Sequence, residues 1–167
     1  MVGWQAPGAN HKDQVPMKVL NTLLGGGMSS RLFVVLRENL GLAYVVSSFF
    51  PTRLDVSQWV IYLGLPAGKL PVASRKLKEL LEKFAKEGPT GRELAQAKAM
   101  IRGAFLMDRQ SRRRQAWYKA WWEFLGRGPK YGEEFLAQVD AVTAKTVQSL
   151  LQKVLAQPRV TVTVTPK

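Results

Sequence analysis

Cysteine is absent from these 167 residues, which excludes disulfides and thiolate zinc ligands. Histidine occurs once, at His11. A catalytic zinc normally takes three protein ligands, so a lone histidine forms no such site, and an acid/base pair of two histidines is equally excluded. No apolar run approaches the roughly 18 residues that would suggest a membrane span. Met1 leads straight into VGWQAPG, with no basic segment followed by an apolar one, so no signal peptide is visible and a cytoplasmic chain is the expectation. Acidic residues are scarce, 12 Asp plus Glu against 25 Lys plus Arg, for a formal charge of +13. That balance favours acidic partners: nucleic acid, an anionic membrane surface, an acidic peptide or an acidic subunit.

What is present suits one globular domain over residues 1–167, with 46% apolar and 22% charged residues. Val2 to Pro7 reads as a strand. Val19, Leu20, Leu23 and Leu24 have helical spacing, and Gly25, Gly26 and Gly27 break that helix in a flexible turn. Ser29 or Ser30 is placed to cap a second helix, about Ser30 to Leu40, with Leu32, Phe33, Leu36 and Leu40 on one face and Gly41 as its stop. Strands over Leu42 to Phe50 and Val56 to Leu65 make an antiparallel hairpin around Pro51 to Asp55.

The middle is helical. Leu70, Ala73, Leu77, Leu80, Leu81 and Phe84 form a stripe, with Glu79/Lys83 and Glu82/Lys86 as expected surface pairs. After Gly88-Pro89, Thr90 and Glu93 spell a capping box. The helix they start bends near Ser111 into a segment with Trp117, Trp121 and Phe124. Two shorter helices follow, around Glu133 to Ala141 and after Thr143. The closing strand alternates Val160, Val162 and Val164 with Thr161, Thr163 and Thr165, one face expected buried and the other wet. This order predicts an α+β domain, a mainly antiparallel sheet with helices packed on one face.

Four features carry chemistry. The triglycine lacks the GxxxxGK[ST] spacing and follows a helix, so a turn outweighs a phosphate cradle. Arg109, Arg112, Arg113, Arg114 and Lys119, interleaved with Trp117, Tyr118, Trp121 and Trp122, resemble an RNA-binding surface. Helical spacing instead puts Trp117 and Trp121 on the buried stripe and leaves Tyr118 and Trp122 over. Glu93, Glu133 and Glu134 fall at helix starts, where the helix dipole favours them, and Asp108 and Asp140 have no recognisable partner. Arg37 and Tyr44 bracket the helix-to-strand turn; from side-chain chemistry alone they read first as a structural pair.

The string LGGGMSSRLFVVLRENLGLAY, with Lys18-Val19-Leu20 upstream and Thr90, Glu93, Leu94, Ala97 and Lys98 downstream, resembles the C-terminal domain of the insulinase/pitrilysin family of zinc metallopeptidases, which includes mitochondrial processing peptidase and the cytochrome bc1 core proteins. The likeness runs from Val2 to the final Val-Thr-Val-Thr-Pro. It implies a processing-peptidase-like metallohydrolase fold in which homologous domains pair around a chamber, one holding zinc through H-x-x-E-H. The other supplies an Arg and a Tyr seven residues apart, a spacing Arg37 and Tyr44 match. Their implied role is to bind the substrate's backbone carbonyl and stabilise its oxyanion. No H-x-x-E-H occurs here, so the expected zinc lies in a partner domain or subunit and this chain alone should not cleave peptides. The implied partners are that zinc-bearing half, in a homo- or hetero-dimer or a longer chain, and a peptide substrate. The alternatives are a structural subunit like the bc1 core proteins and, less favoured, a nucleic-acid-binding domain.

Overall fold

Alternation decides the sheet. In the computed structural model, which describes residues 1–165, β1 (Val2–Pro7) turns Trp4 and Ala6 inward, β2 (Val45–Phe49) Val46 and Ser48, and β3 (Val56–Gly64) Ser57, Trp59 and Ile61. With β4 (Arg159–Thr161) the strands lie in the order β2-β3-β1-β4, every pairing antiparallel. Trp4 and Trp59 are directly opposite in register, and their rings stack at 5.2 Å. The inward side chains meet a helical layer, as the hydrophobic pattern predicts.

Helix α1 (Gln14–Gly25) is the pivot of the core. Met17, Val19, Leu20 and Leu24 are fully buried, and the helix touches β2 and the three later helices α3 (Gly91–Met107), α5 (Tyr131–Ala141) and α6 (Ala144–Leu155). Between α1 and these lie α2 (Leu70–Glu87), whose predicted stripe is buried at Ala73, Leu77, Leu81 and Phe84, and, after α3, helix α4 (Arg112–Phe124). The capping box at Thr90 and Glu93 is present, and Thr143 caps α6. The expected bend at Ser111 is a break: its side chain accepts from the Arg114 N–H at 3.2 Å and starts α4 afresh.

Several expectations are corrected. The segment Phe33–Asn39 is a π-helix, with the Leu40 N–H bonded five residues back to the Val35 carbonyl at 3.2 Å. This wider winding turns Leu40 out of the stripe, so Leu32 and Leu36 are buried while Leu40 is exposed. Neither serine caps it by side chain; Ser30 Oγ is buried with no hydrogen-bond partner among the described residues. The triglycine is less a flexible turn than a place of close approach, and all three glycines keep negative φ. A Cβ on Gly25 would lie 2.4 Å from the Ser48 backbone nitrogen, so only glycine lets α1 end against β2.

On α2 the carboxylates pair with upstream cations, Lys76 to Glu79 at 2.7 Å and Lys78 to Glu82 at 3.7 Å, not with Lys83 and Lys86. The closing strand is shorter than expected and buries neither face. Val160 pairs with Gly3 on the outer side of the sheet, 69% exposed, and Val162 and Val164 are exposed after it. Pro166, the end of the recognised string, lies outside the described residues. The outer face as a whole carries Val45, Phe49, Val56, Tyr62 and Val160, all exposed, because no helix among the described residues covers them.

Candidate functional site

The π-helix delivers Arg37 to its exposed side and ends at Gly41, whose φ of +56° needs a residue without a Cβ. Two hydrogen bonds fix the exit: the Gly41 N–H donates to the Arg37 carbonyl at 3.1 Å and the Leu42 N–H to the Leu36 carbonyl at 2.9 Å. Ala43 is then buried, Tyr44 turns outward, and its N–H donates to the Gly64 carbonyl at 3.0 Å, docking the turn on the end of β3. The Lys69 ammonium donates to the Gly41 carbonyl at 2.7 Å. Sequence and winding together thus present Arg37 and Tyr44 at one end of the hairpin.

Arg37 lies with its guanidinium 4.8 Å from the centre of its own helix's Phe33 ring. Among the described residues it has no carboxylate within ion-pair reach. Tyr44 is 63% exposed. Its ring rests beside Gly64, where an added Cβ would come within 3.1 Å of Cε2. It stands at the rim of a cleft of about 580 Å³ between α2 and the ends of β1 and β3, lined by Leu63, Leu65, Leu70, Leu77 and Lys78. No hydrogen bond or ring contact joins Arg37 to Tyr44 among the described residues.

Six residues before Arg37, Arg31 behaves otherwise. It grips Glu93 through both carboxylate oxygens, at 2.5 and 2.8 Å, and lies 4.5 Å from the centre of the Phe84 ring. The Arg31 hydrogen bonds, then those from Thr90, hold the Glu93 carboxyl down at about 2 against the opposing effect of burial. Glu93 therefore caps α3 and also ties it to the start of the π-helix, a second task invisible in the capping pattern. Glu133 and Glu134 lie in the first turn of α5 as expected.

The basic run is sorted by the structure. Arg109 is held between the rings of Phe105 and Tyr118, at 3.6 and 3.5 Å, and its charge, after burial, helps lower the Lys18 ammonium to about 8. Asp108 does have partners: it binds Arg114 at 2.5 Å and accepts from the Tyr118 hydroxyl, and these bonds, Tyr118's first, lower its carboxyl. Asp140 pairs with Arg102 at 2.5 Å. The tryptophan assignment is reversed. Trp122 is buried, 6% exposed, against Tyr131, while Trp117 is 47% exposed and Trp121 only half-buried. The spacing is helical, but the buried side of α4 lies about 140° round from Trp117, at Trp122.

Zinc has no home among the described residues: no three of His, Cys, Asp and Glu gather as a metal site. His11 is exposed, its Nδ1 accepting from the Asp13 N–H at 3.0 Å. Three ligands are needed and one histidine beside one aspartate does not fit.

The described residues thus form a helix-backed antiparallel sheet that displays Arg37 and Tyr44 and gathers no cluster of metal ligands. Comparison places it more narrowly. Residues 1–101 match the model of the peptidase M16 inactive domain, and the chain belongs to that family. It is 32% identical over 161 residues to an uncharacterized zinc protease of Mycobacterium leprae, covering 93% of this chain and 35% of the relative. It therefore spans about a third of that curated relative's length. Among solved structures, the peptidase M16 inactive domain from Pseudomonas fluorescens superposes with a TM-score of 0.83 at 24% identity, over 99% of this chain and 42% of that one. A chain of complex III2 from Candida albicans gives 0.80 at 15% identity, over 95% and 40%. These last two likenesses bear out the α+β fold.

Proposed function

We propose that this domain is the substrate-binding, non-zinc half of a zinc-dependent peptidase, and that Arg37 and Tyr44 supply its contacts to the scissile peptide. The observation that carries the reading is the pair itself. An arginine with no counter-charge among the described residues and a 63% exposed tyrosine are held by a short, hydrogen-bonded turn at the spacing the family string implies. A zinc ion held by the companion half, and not by residues of this chain, would activate the attacking water. On this side, the Tyr44 hydroxyl donates to the substrate carbonyl oxygen as it gains negative charge, and the Arg37 guanidinium donates to the same oxygen or to a neighbouring backbone carbonyl. The Phe33 ring restrains the guanidinium in advance, which spares part of the ordering cost.

The test is to assemble the domain with its zinc-bearing half and assay Arg37→Ala and Tyr44→Phe separately. Each is expected to lower kcat/KM about 100-fold with zinc content unchanged. Activity equal to wild type in both would remove the catalytic role. A second reading, a structural subunit, is favoured by the fold shared with a complex III2 chain. An assembled parent that binds no zinc and cleaves no peptide would select it.

A further inference from the structure

Helix α4 is apolar on two sides. One side meets α5 through Trp122, which stands edge-on to Tyr131 at 4.7 Å, with Leu125 buried just beyond. The other follows i, i+4, i+7 spacing through Trp117, Trp121 and Phe124, with Ala116 and Ala120 beside them. Its rings form a ladder, Trp117 to Trp121 at 5.5 Å and 13°, Trp121 to Phe124 at 5.7 Å and 25°. Trp117 is 47% and Phe124 69% exposed, and Leu106 and Met107, at the approach to the helix, are exposed too. Contiguous exposed apolar side chains rimmed by polar residues mark a surface suited to a partner. Among the described residues the second side is covered only in part, at Trp121, which is half-buried against the core, while Trp117 and Phe124 stay exposed.

The ladder does not suit nucleic acid. Its rings already stack on one another, whereas base binding uses free ring faces. Two of the five nearby cations are spent inside the domain, Arg109 between rings and Arg114 on Asp108. What remains is an apolar stripe with Arg113 at its head and Arg112, Lys119 and Glu123 along the rim. Length indicates what covers it. The chain is 35% of the Mycobacterium relative, so proteins of that size carry a companion portion nearly twice as large as this domain.

We propose that the Trp117–Trp121–Phe124 stripe seats an apolar surface of the zinc-bearing half. The proposal rests on the reading above that such a half accompanies this chain. Central aromatic residues of this kind dominate the affinity of an interface, and the stripe would be its anchor.

The experiment places the photo-crosslinking residue p-benzoylphenylalanine at position 117, 124 or 44, or at solvent-facing 82, of the full-length protein in its host cells. Products are mapped by mass spectrometry. An aromatic replacing an aromatic at 117, 124 and 44 spares the fold. Expected are crosslinks from 117 and 124 to peptides of the portion or subunit bearing H-x-x-E-H, and none to it from 82. Crosslinks to that half from 44 but not from 117 or 124 overturn the stripe and leave the functional reading standing. Crosslinks from 117 to lipid, nucleic acid or a second copy overturn it equally. No crosslink from any of the three removes both.

Discussion

Arg31 and Arg37 stand at the two ends of one short helical segment, each against a phenyl ring, yet their surroundings give them opposite work. Arg31 is half-buried, bidentate on Glu93 and locked over Phe84. Its charge is neutralised, so it has little left to offer a ligand. Arg37 is exposed over Phe33 and faces no carboxylate among the described residues. The contrast teaches that a cation's partner, more than its residue type, separates structural from functional use.

The largest expected effect separates the two by activity. In the assembled peptidase Arg37→Ala is expected to lose about 100-fold in kcat/KM, while Arg31→Ala keeps near-normal turnover per folded molecule, as active-site titration would reveal. Equal losses would break the comparison. Stability should order them the other way. Arg31→Ala removes charge-assisted bonds to Glu93 and is expected to cost about 1.5–3 kcal/mol in urea unfolding. Gly25→Ala, which forces a Cβ to within 2.4 Å of the Ser48 nitrogen at the adjoining helix–strand contact, should cost about 1–3 kcal/mol by the same measurement.

Acid sharpens the contrast. Glu93 titrates at about 2 in the folded chain against 4.5 ordinarily, so the unfolded chain binds the proton first. Its contribution is fully present above about pH 4.5 and is lost as pH falls through about 2. Wild type should therefore lose more stability than Arg31→Ala between pH 5 and 2.5, and parallel denaturation curves would dismiss the linkage. Smallest of all, Arg37→Ala should change unfolding stability by no more than about 0.5 kcal/mol.

Much of this was legible along the chain. Short runs rich in apolar and β-branched residues gave β1 to β3, glycines gave the ends of α1 and α2, and Thr90 with Glu93 and Thr143 gave the starts of α3 and α6. The Arg37 and Tyr44 positions came from a gapped string, not from any spacing rule. Less visible was every choice between two plausible partners at a distance. Asp108 and Asp140 looked idle because Arg114, Tyr118 and Arg102 reach them only once the helices are set. Trp117 and Trp122 exchanged places because periodicity marks an apolar stripe without saying which of two stripes meets the core.

By itself, then, the sequence determined the order of elements, the absence of a histidine or cysteine zinc site and the location of the turn that carries Arg37 and Tyr44. These follow from local backbone preference, alternation and composition, which need no distant neighbour. Only the tertiary structure decided that the Phe33–Asn39 winding widens and turns Leu40 outward, that Gly25 is reserved for contact with Ser48, and that Arg31 is neutralised while Arg37 is not. Each of those depends on which surfaces meet, and packing joins residues far apart in the chain, as Arg31 and Glu93 are.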